Sequence, residues 1–171
     1  MTLKLLAAIV FIAALVFAVD VLYASAQDDF GCETTQCRKD LAAARAGTAA
    51  YHDFQAAVAD QFVPVFGCID LPSGPAMGFH YINIQRRDDP TLDPANPEVL
   101  IYMPNADGEF QLVAVEYLRP GTPEEVPPVL FGHPMEYNTD VAAWTFHAWI
   151  WKNNPDGIFR DFNQKLRCPV Q

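Results

Sequence analysis

The side chains best suited to chemistry in this sequence are two histidines and a glutamate on separate apolar segments. These are His80, Glu116 and His147. Two imidazoles and one carboxylate form a ligand set for a divalent transition metal, or an acid/base pair where no metal is bound. If the fold brings His80 and His147 together with Glu116 opposite, we expect a metal-dependent or haem-dependent protein or enzyme.

A second candidate pair lies in a Pro-rich stretch, where His133 and Met135 supply an imidazole and a thioether. These ligands would suit copper because of their softness. No H-x-H or H-E-x-x-H pair, G-x-S-x-G elbow, P-loop or G-x-G-x-x-G loop occurs in the sequence. The cofactor is therefore unknown at this stage, and the sequence leaves open whether the protein is an enzyme.

The elements that position these residues are segments that alternate with a period of two, which is typical of β-strands. They are rich in aromatic and β-branched residues, and Asp107-Gly108 predicts a hairpin between the second and the third. The predicted strands are residues 76–84, 98–103, 109–118 and 142–151. The Pro-rich connections between them read as exposed loops.

In the last predicted strand the alternation separates two sets of side chains. Phe146, Ala148 and Ile150 face one way. We predict that the other set, together with residues of two earlier strands, lines a ligand pocket or an interface. This predicted ligand-binding set is His80, Tyr81, Tyr117, His147, Trp149 and Trp151. The alternative is that loops fold over this face and make it plain core.

Before the strands, apolar positions recur every three or four residues from Cys37 to Phe62, which predicts one long amphipathic helix. Thr34 or Thr35 would cap its start. Gly47 is a weak point at which the helix could break. Pro64 would follow its end.

Near the C-terminus, Asn154 as an N-cap and Pro155 at the first helical position predict a short closing helix. A helix followed by antiparallel strands indicates an α+β domain, in which a long N-terminal helix packs on a curved sheet of about four strands. Cystatin-like and nuclear transport factor 2-like folds have this order of elements. Such folds leave a cavity between helix and sheet.

The N-terminus has the features of a signal peptide. An apolar run at residues 5–19 follows Lys4, and Ala24-Ser25-Ala26 supplies the small residues of a cleavage site. We predict a signal peptide over residues 1–26, a single globular domain over residues 27–171, and no stable membrane span after cleavage. The alternative is an uncleaved anchor helix. The predicted location is secreted or periplasmic.

Four cysteines follow this predicted leader, in a compartment where disulfides persist. Of the three connectivities we favour Cys32 with Cys37, and Cys68 with Cys168. The formal net charge of −10 repels phosphate backbones, so nucleic acid is not expected as a partner.

Several segments between Tyr51 and Cys168 resemble a group of small exported bacterial proteins of unassigned activity. They are "MGFHYIN", "PEVLIYMPNADGEFQLVAVEYL", "PPVLFGHPM" and "HAWIWKNNPDGIFRDFN". The resemblance implies export and a single domain, and it implies no catalytic residue.

The function predicted from the sequence is non-enzymatic binding of a small or apolar ligand by a secreted, disulfide-stapled domain. The alternatives are the metal- or haem-dependent site and an envelope protein-interaction module, whose aromatic face could also support a homo-oligomer.

Overall fold

The computed structural model describes residues 31–170 of the protein. The predicted signal peptide therefore lies outside the described residues. Within the described part, none of the helices combines the length and the apolar character that crossing a membrane requires.

The domain is built on a curled antiparallel sheet of six strands, in the order β1-β2-β3-β4-β8-β7. These strands are β1 Phe62–Asp70, β2 Ala76–Asn83, β3 Val99–Pro104, β4 Phe110–Pro120, β7 Glu136–Asn138 and β8 Ala143–Ala148. A separate small hairpin pairs β5 Val129–Leu130 with β6 His133–Pro134. The α+β class is confirmed.

All four predicted strands are present, as β2, β3, β4 and β8, but the estimate of about four strands was too low. The sequence analysis missed β1 because Pro64 and Gly67 weaken a strand pattern. Both are tolerated because β1 lies at the sheet edge, where its pairing with β2 is irregular between Pro64 and Cys68. The other missed strand of the six-stranded sheet, β7, has only three residues and lies at the opposite edge.

The prediction of one long N-terminal helix was wrong, because the helical region is broken. The helices of the domain are α1 Thr35–Thr48, a 3₁₀ helix Ala49–His52, α2 Phe54–Ala59 and α3 Ile84–Arg87. The break lies at Asp53, which has extended backbone angles and accepts a hydrogen bond from the Gln55 amide as the N-cap of α2. Thr34 caps α1 as predicted, accepting from the Cys37 amide.

Gly47, which the sequence marked as the weak point, is followed closely by the end of the α-helix, because α1 ends at Thr48 and continues as the 3₁₀ helix. It lies inside α1, where a Cβ atom would come within 1.9 Å of the Ala95 carbonyl oxygen. The glycine therefore allows the loop before β3 to pass close to the helix, and its low helix propensity is outweighed by this packing.

The predicted C-terminal helix is also wrong, because residues 149–170 form turns and irregular structure. The Asn154 side chain does accept from the Asp156 amide, but Gly157 then has a φ of +125°, which ends the turn. The segment folds back across the sheet, and the Asn163 amide donates to the Ala76 carbonyl oxygen. A disulfide from Cys68 to Cys168 holds its end.

Both predicted disulfides are confirmed. Besides the Cys68–Cys168 bridge, a disulfide joins Cys32 to Cys37 at the start of α1. All four cysteines are bridged, and two bridges suit a protein of an oxidising compartment.

One face of the sheet, which we call the helix face, packs against α1, the 3₁₀ helix and α2 through large aromatic side chains. Its core includes Tyr51, Phe62, Tyr102, Tyr117, Phe131, Trp144, Phe146 and Phe159. These side chains occupy the space between helix and sheet where the sequence predicted a cavity.

The opposite face, which we call the open face, carries smaller side chains. Its buried cluster includes Ile82, Val99, Ile101, Val113, Ala114, Leu118, Trp149 and Leu166. The C-terminal segment covers part of this face, contributing Ile158, Leu166 and Cys168. The loop from Pro120 to Pro134, which the sequence offered as a cover, is not what supplies these contacts.

Candidate metal centre

The three residues singled out first in the sequence lie on the open face, on three strands. Glu116 on β4 pairs directly with His147 on β8. His80 on β2 is separated from them by β3, since it pairs with Ile101 and Glu116 pairs with Val99. Period-two alternation places all three side chains on one face, and the curl of the sheet lets His80 reach across β3.

The three side chains converge, and one ligand atom from each lies within 4.8 Å of the others. His80 Nε2 is 3.7 Å from Glu116 Oε2, and His147 Nε2 is 3.7 Å from Glu116 Oε1. Their exposed fractions are 4%, 7% and 4% for His80, Glu116 and His147. Within residues 31–170 this is the one group of three or more histidine, cysteine or acidic residues with metal-ligand spacing.

The hydrogen bonding of His80 defines which of its ring nitrogens is free. Its Nδ1 lies 3.1 Å from the Gly78 carbonyl oxygen, which can only accept, so Nδ1 carries the proton. Burial, with the charge of His147, lowers the pKa of His80 to about 3. His80 is therefore neutral near pH 7, and its unprotonated Nε2 lies 3.7 Å from Glu116 Oε2.

His147 is held between two carboxylates. Its Nδ1 is 3.1 Å from Asp161 Oδ1 on the C-terminal segment, and neither of its buried ring nitrogens makes a well-aligned hydrogen bond. Burial by itself would lower the pKa of His147, but the carboxylates of Glu116 and Asp161 raise the pKa above its usual value. The same contact lowers the pKa of Asp161.

Glu116 lies between the two imidazoles with both oxygens at distances too long for hydrogen bonds. Burial raises its pKa, and the nearby His147 opposes that rise. The unprotonated Nε2 of His80 lies 3.7 Å from a carboxylate oxygen, so two acceptors are neighbours in a buried site. Such an arrangement is favourable only when a proton or a cation lies between them.

A cleft of about 480 Å³ adjoins this group on the open face. His80 and Glu116 form part of its wall, whereas His147 is not among its lining residues. The remaining lining residues are Val65, Phe66, Ile82, Arg87, Asp88, Val99, Leu118, Pro120, Asp140, Val141, Ala142 and Ala143. The cleft is therefore mostly apolar and reaches the triad from the side of β1 and the loop before β8.

The other residues of the predicted ligand-binding set are not at this cleft. Tyr81 packs against Phe54 and Tyr102, and Tyr117 is buried with its hydroxyl donating to the Pro94 carbonyl oxygen. Both belong to the core of the helix face. Tyr81 and Tyr117 directly follow His80 and Glu116 on the same strands. Because successive side chains of a strand point to opposite faces, the two tyrosines lie on the helix face and not on the open face.

The two tryptophans of the last strand separate instead of sharing a face. Trp149 is 3% exposed and packs in the open-face cluster, with Nε1 donating to the Arg160 carbonyl oxygen. Trp151 donates from Nε1 to Thr48 Oγ1 on the helix side. The alternation fails because β8 ends at Ala148, after which the amides of both Trp151 and Lys152 donate to the Val113 carbonyl oxygen.

The second candidate pair also lies away from the triad. Met135 is buried in the core of the helix face, and the ring of His133 packs on Phe146 and Phe159. The structure therefore does not bring His133 or Met135 to His80, Glu116 and His147.

Sequence reasoning missed Asp161, which contacts His147. It lies within the segment predicted to be helical, 14 residues beyond its partner, and no local pattern marks it. Only the return of the C-terminal segment over the open face brings the two together.

Comparisons with family models, with curated proteins and with solved structures found no match to this chain. The interpretation of the site rests on its own geometry.

Proposed function

We propose that this protein binds a divalent transition metal ion, with Zn²⁺ as the best fit, through His80 Nε2, His147 Nε2 and one oxygen of Glu116. The observation that carries the proposal is the buried pair of facing acceptors, His80 Nε2 and Glu116 Oε2, 3.7 Å apart. A cation between them would satisfy both and would also engage His147 Nε2, which has no hydrogen-bond partner.

The spacing supports this ion. Ligands bound to zinc at about 2.1 Å and at a tetrahedral angle lie about 3.4 Å apart. His80 Nε2 and His147 Nε2 lie 3.7 Å from different oxygens of Glu116, and the three ligand atoms lie within 4.8 Å of one another, so the side chains have to close in by up to about 1.4 Å to reach this value. Two histidines and one glutamate are the ligands of zinc sites that keep a fourth position open for water or a substrate.

The surroundings of the ligands support the proposal as well. Metal-bound histidines usually donate their other ring nitrogen to a carbonyl or a carboxylate, which orients the ring. His80 has the Gly78 carbonyl oxygen in that place and His147 has Asp161. Asp161 is a positioning residue in this arrangement, because it touches His147 and not the metal.

The competing explanation is a metal-free ionic cluster, in which a proton on His147 balances Glu116 and Asp161. That cluster leaves the His80 lone pair facing Glu116 Oε2 without a donor between them. A bound cation removes this repulsion, as would a proton on Glu116, whose pKa is raised by burial, whereas a proton on His147 does not.

The test is metal analysis of the exported protein, followed by calorimetric titration of chelator-treated protein with Zn²⁺. We expect one zinc per chain, and a stabilisation of about 2.7 kcal/mol at a free zinc concentration 100 times the dissociation constant. His80→Ala and His147→Ala should abolish binding. Glu116→Gln keeps the size of the side chain, so weaker binding with an unchanged circular dichroism spectrum separates loss of a ligand from loss of the fold.

His52→Ala is the matched control, because His52 is an exposed histidine outside the triad. It should bind zinc like the wild type. Asp161→Asn should weaken zinc binding about 10- to 100-fold without abolishing it. A folded wild-type protein that takes up no zinc and no other divalent transition metal would refute the proposal and leave the ionic cluster.

A further inference from the structure

We infer that the cleft beside the triad binds a small monocarboxylate with an apolar body, whose carboxylate completes the coordination of the metal. This inference rests on the proposed function, since the metal supplies the group that the carboxylate binds. It deepens that proposal by assigning a chemical class of ligand to the open position.

The position of the cleft relative to the ligands is the first support. His80 and Glu116 line the cleft, and His147 lies behind them against Asp161. A metal held by the three side chains would therefore have its fourth position directed towards the cleft and away from the C-terminal segment. The volume of about 480 Å³ is within the range of small-molecule sites.

The walls of the cleft indicate an apolar body. Phe66, Val65 and Val141 are 54%, 39% and 38% exposed, which is unusual for side chains of this type clustered around one opening. Below them, Leu118 and Ile82 form the buried part of the wall. An aromatic or short aliphatic group would remove apolar surface from water on both sides of the contact.

The charges at the cleft favour one negative charge on the ligand. A divalent ion bound to Glu116 has a net charge of +1, which one carboxylate neutralises. Arg87 and Asp88 at the rim form an ion pair of 2.7 Å and cancel each other. Asp140 at the rim adds a negative charge, which repels a dianion such as a phosphate monoester more strongly than it repels a monocarboxylate.

The negative charge of Asp161 reaches the triad, where it helps to raise the pKa of Glu116, but it acts less strongly on a ligand in the cleft. It contacts His147 on the side away from the cleft, and its side chain is 53% exposed, so water screens its charge. The neighbouring Arg160 further offsets it.

The experiment is calorimetric titration of the zinc-loaded protein with benzoate, acetate and phenyl phosphate. We expect benzoate to bind at least about 10-fold more tightly than acetate, because its ring is buried in the cleft. Benzoate should also bind more tightly than phenyl phosphate. The zinc-free protein should bind none of the three.

Phe66→Ala and Val141→Ala should reduce the advantage of benzoate over acetate at least about threefold while leaving zinc binding unchanged. Val129→Ala is the matched control, because Val129 is an exposed valine of β5 that does not line the cleft. It should behave like the wild type in both titrations.

The two proposals fail in different ways. If zinc binds at one per chain but benzoate binds no better than acetate, the cleft inference is refuted and the metal site stands. Equal binding of benzoate to zinc-free protein would show that the carboxylate does not contact the metal, and would refute the inference too. If neither zinc nor another divalent transition metal binds, both proposals fall.

Discussion

The two faces of the sheet satisfy their buried polar groups in different ways. On the helix face, hydroxyl and indole groups find partners: Tyr102 donates to the Tyr51 carbonyl oxygen, Tyr117 to that of Pro94, and Trp151 to Thr48 Oγ1. On the open face, both buried ring nitrogens of His147 lack an aligned partner. The helix face has one exception, because Trp144 Nε1 is also buried without a hydrogen bond.

Two buried glutamates show the same difference. Glu98, at 2% exposure, accepts a 2.9 Å hydrogen bond from the Leu118 amide. Glu116, at 7% exposure, has an imidazole 3.7 Å from each of its two oxygens. A buried carboxylate held by a backbone amide has a structural explanation, whereas one placed between two histidines at distances too long for hydrogen bonds is the feature on which the proposed metal site rests.

The disulfides offer the largest test of this contrast, because one closes the open face and the other lies at the start of α1. Removing the bridge that spans 100 residues, with Cys68→Ser and Cys168→Ser together, should cost up to about 4.7 kcal/mol in chain entropy. Removing the bridge that spans five residues should cost about 2 kcal/mol. Urea unfolding of the two double variants gives the comparison.

Loss of the Cys68–Cys168 bridge should also weaken zinc binding, because the C-terminal segment that carries Asp161 is no longer held at Cys168. The Cys32–Cys37 variant is the control for that measurement. Equal zinc affinity in both variants would show that the bridge does not position Asp161.

The second test asks whether the covered part of the open face is packed as firmly as the helix face. Trp149→Ala should cost about 3 to 5 kcal/mol of unfolding free energy, because its side chain is 3% exposed and leaves a cavity. Phe131→Ala, at 1% exposure on the helix face, should cost a similar amount. Thermal and urea unfolding supply both values.

A loss below about 1 kcal/mol for Trp149→Ala, beside a large loss for Phe131→Ala, would contradict this expectation. It would mean that Trp149 lines a site, as the sequence predicted.

The third test measures how the contribution of Glu98 to stability depends on pH. Burial raises the pKa of Glu98 to about 7 from an ordinary value of 4.5. Because the folded state holds this proton more tightly, the group contributes stability below pH 4.5 that is lost as the pH rises through 7. The total change is about 3 kcal/mol, by conversion of the pKa difference.

Glu98→Gln removes this titration, so the wild type should lose stability relative to the variant between pH 4.5 and 7. Urea unfolding in the presence of a chelator measures the difference and keeps the triad free of metal. Parallel curves for wild type and variant would show that Glu98 does not titrate in this range.

Much of the local structure could be predicted from the sequence. Alternation with a period of two located β2, β3, β4 and β8, and it correctly placed His147 opposite Phe146 and Ala148. Asp107-Gly108 marked the β3–β4 hairpin, in which Gly108 has a φ of +83°. Thr34 was one of the two residues predicted as the helix cap, and the cysteines were paired correctly. The strands, the hairpin and the helix cap depend on residues that are neighbours in the sequence. The disulfides were predicted from the number of cysteines and from the oxidising compartment.

The tertiary structure decided which of these residues meet. Strand order and curl brought His80 across β3 to Glu116, and the return of the C-terminal segment brought Asp161 to His147. The sequence grouped Tyr81 and Trp151 with the histidines, but alternation and the end of β8 turn them to the helix face. Local periodicity determines the face on which a side chain lies, whereas the distance between strands depends on pairing and curvature, to which residues far apart in the chain contribute.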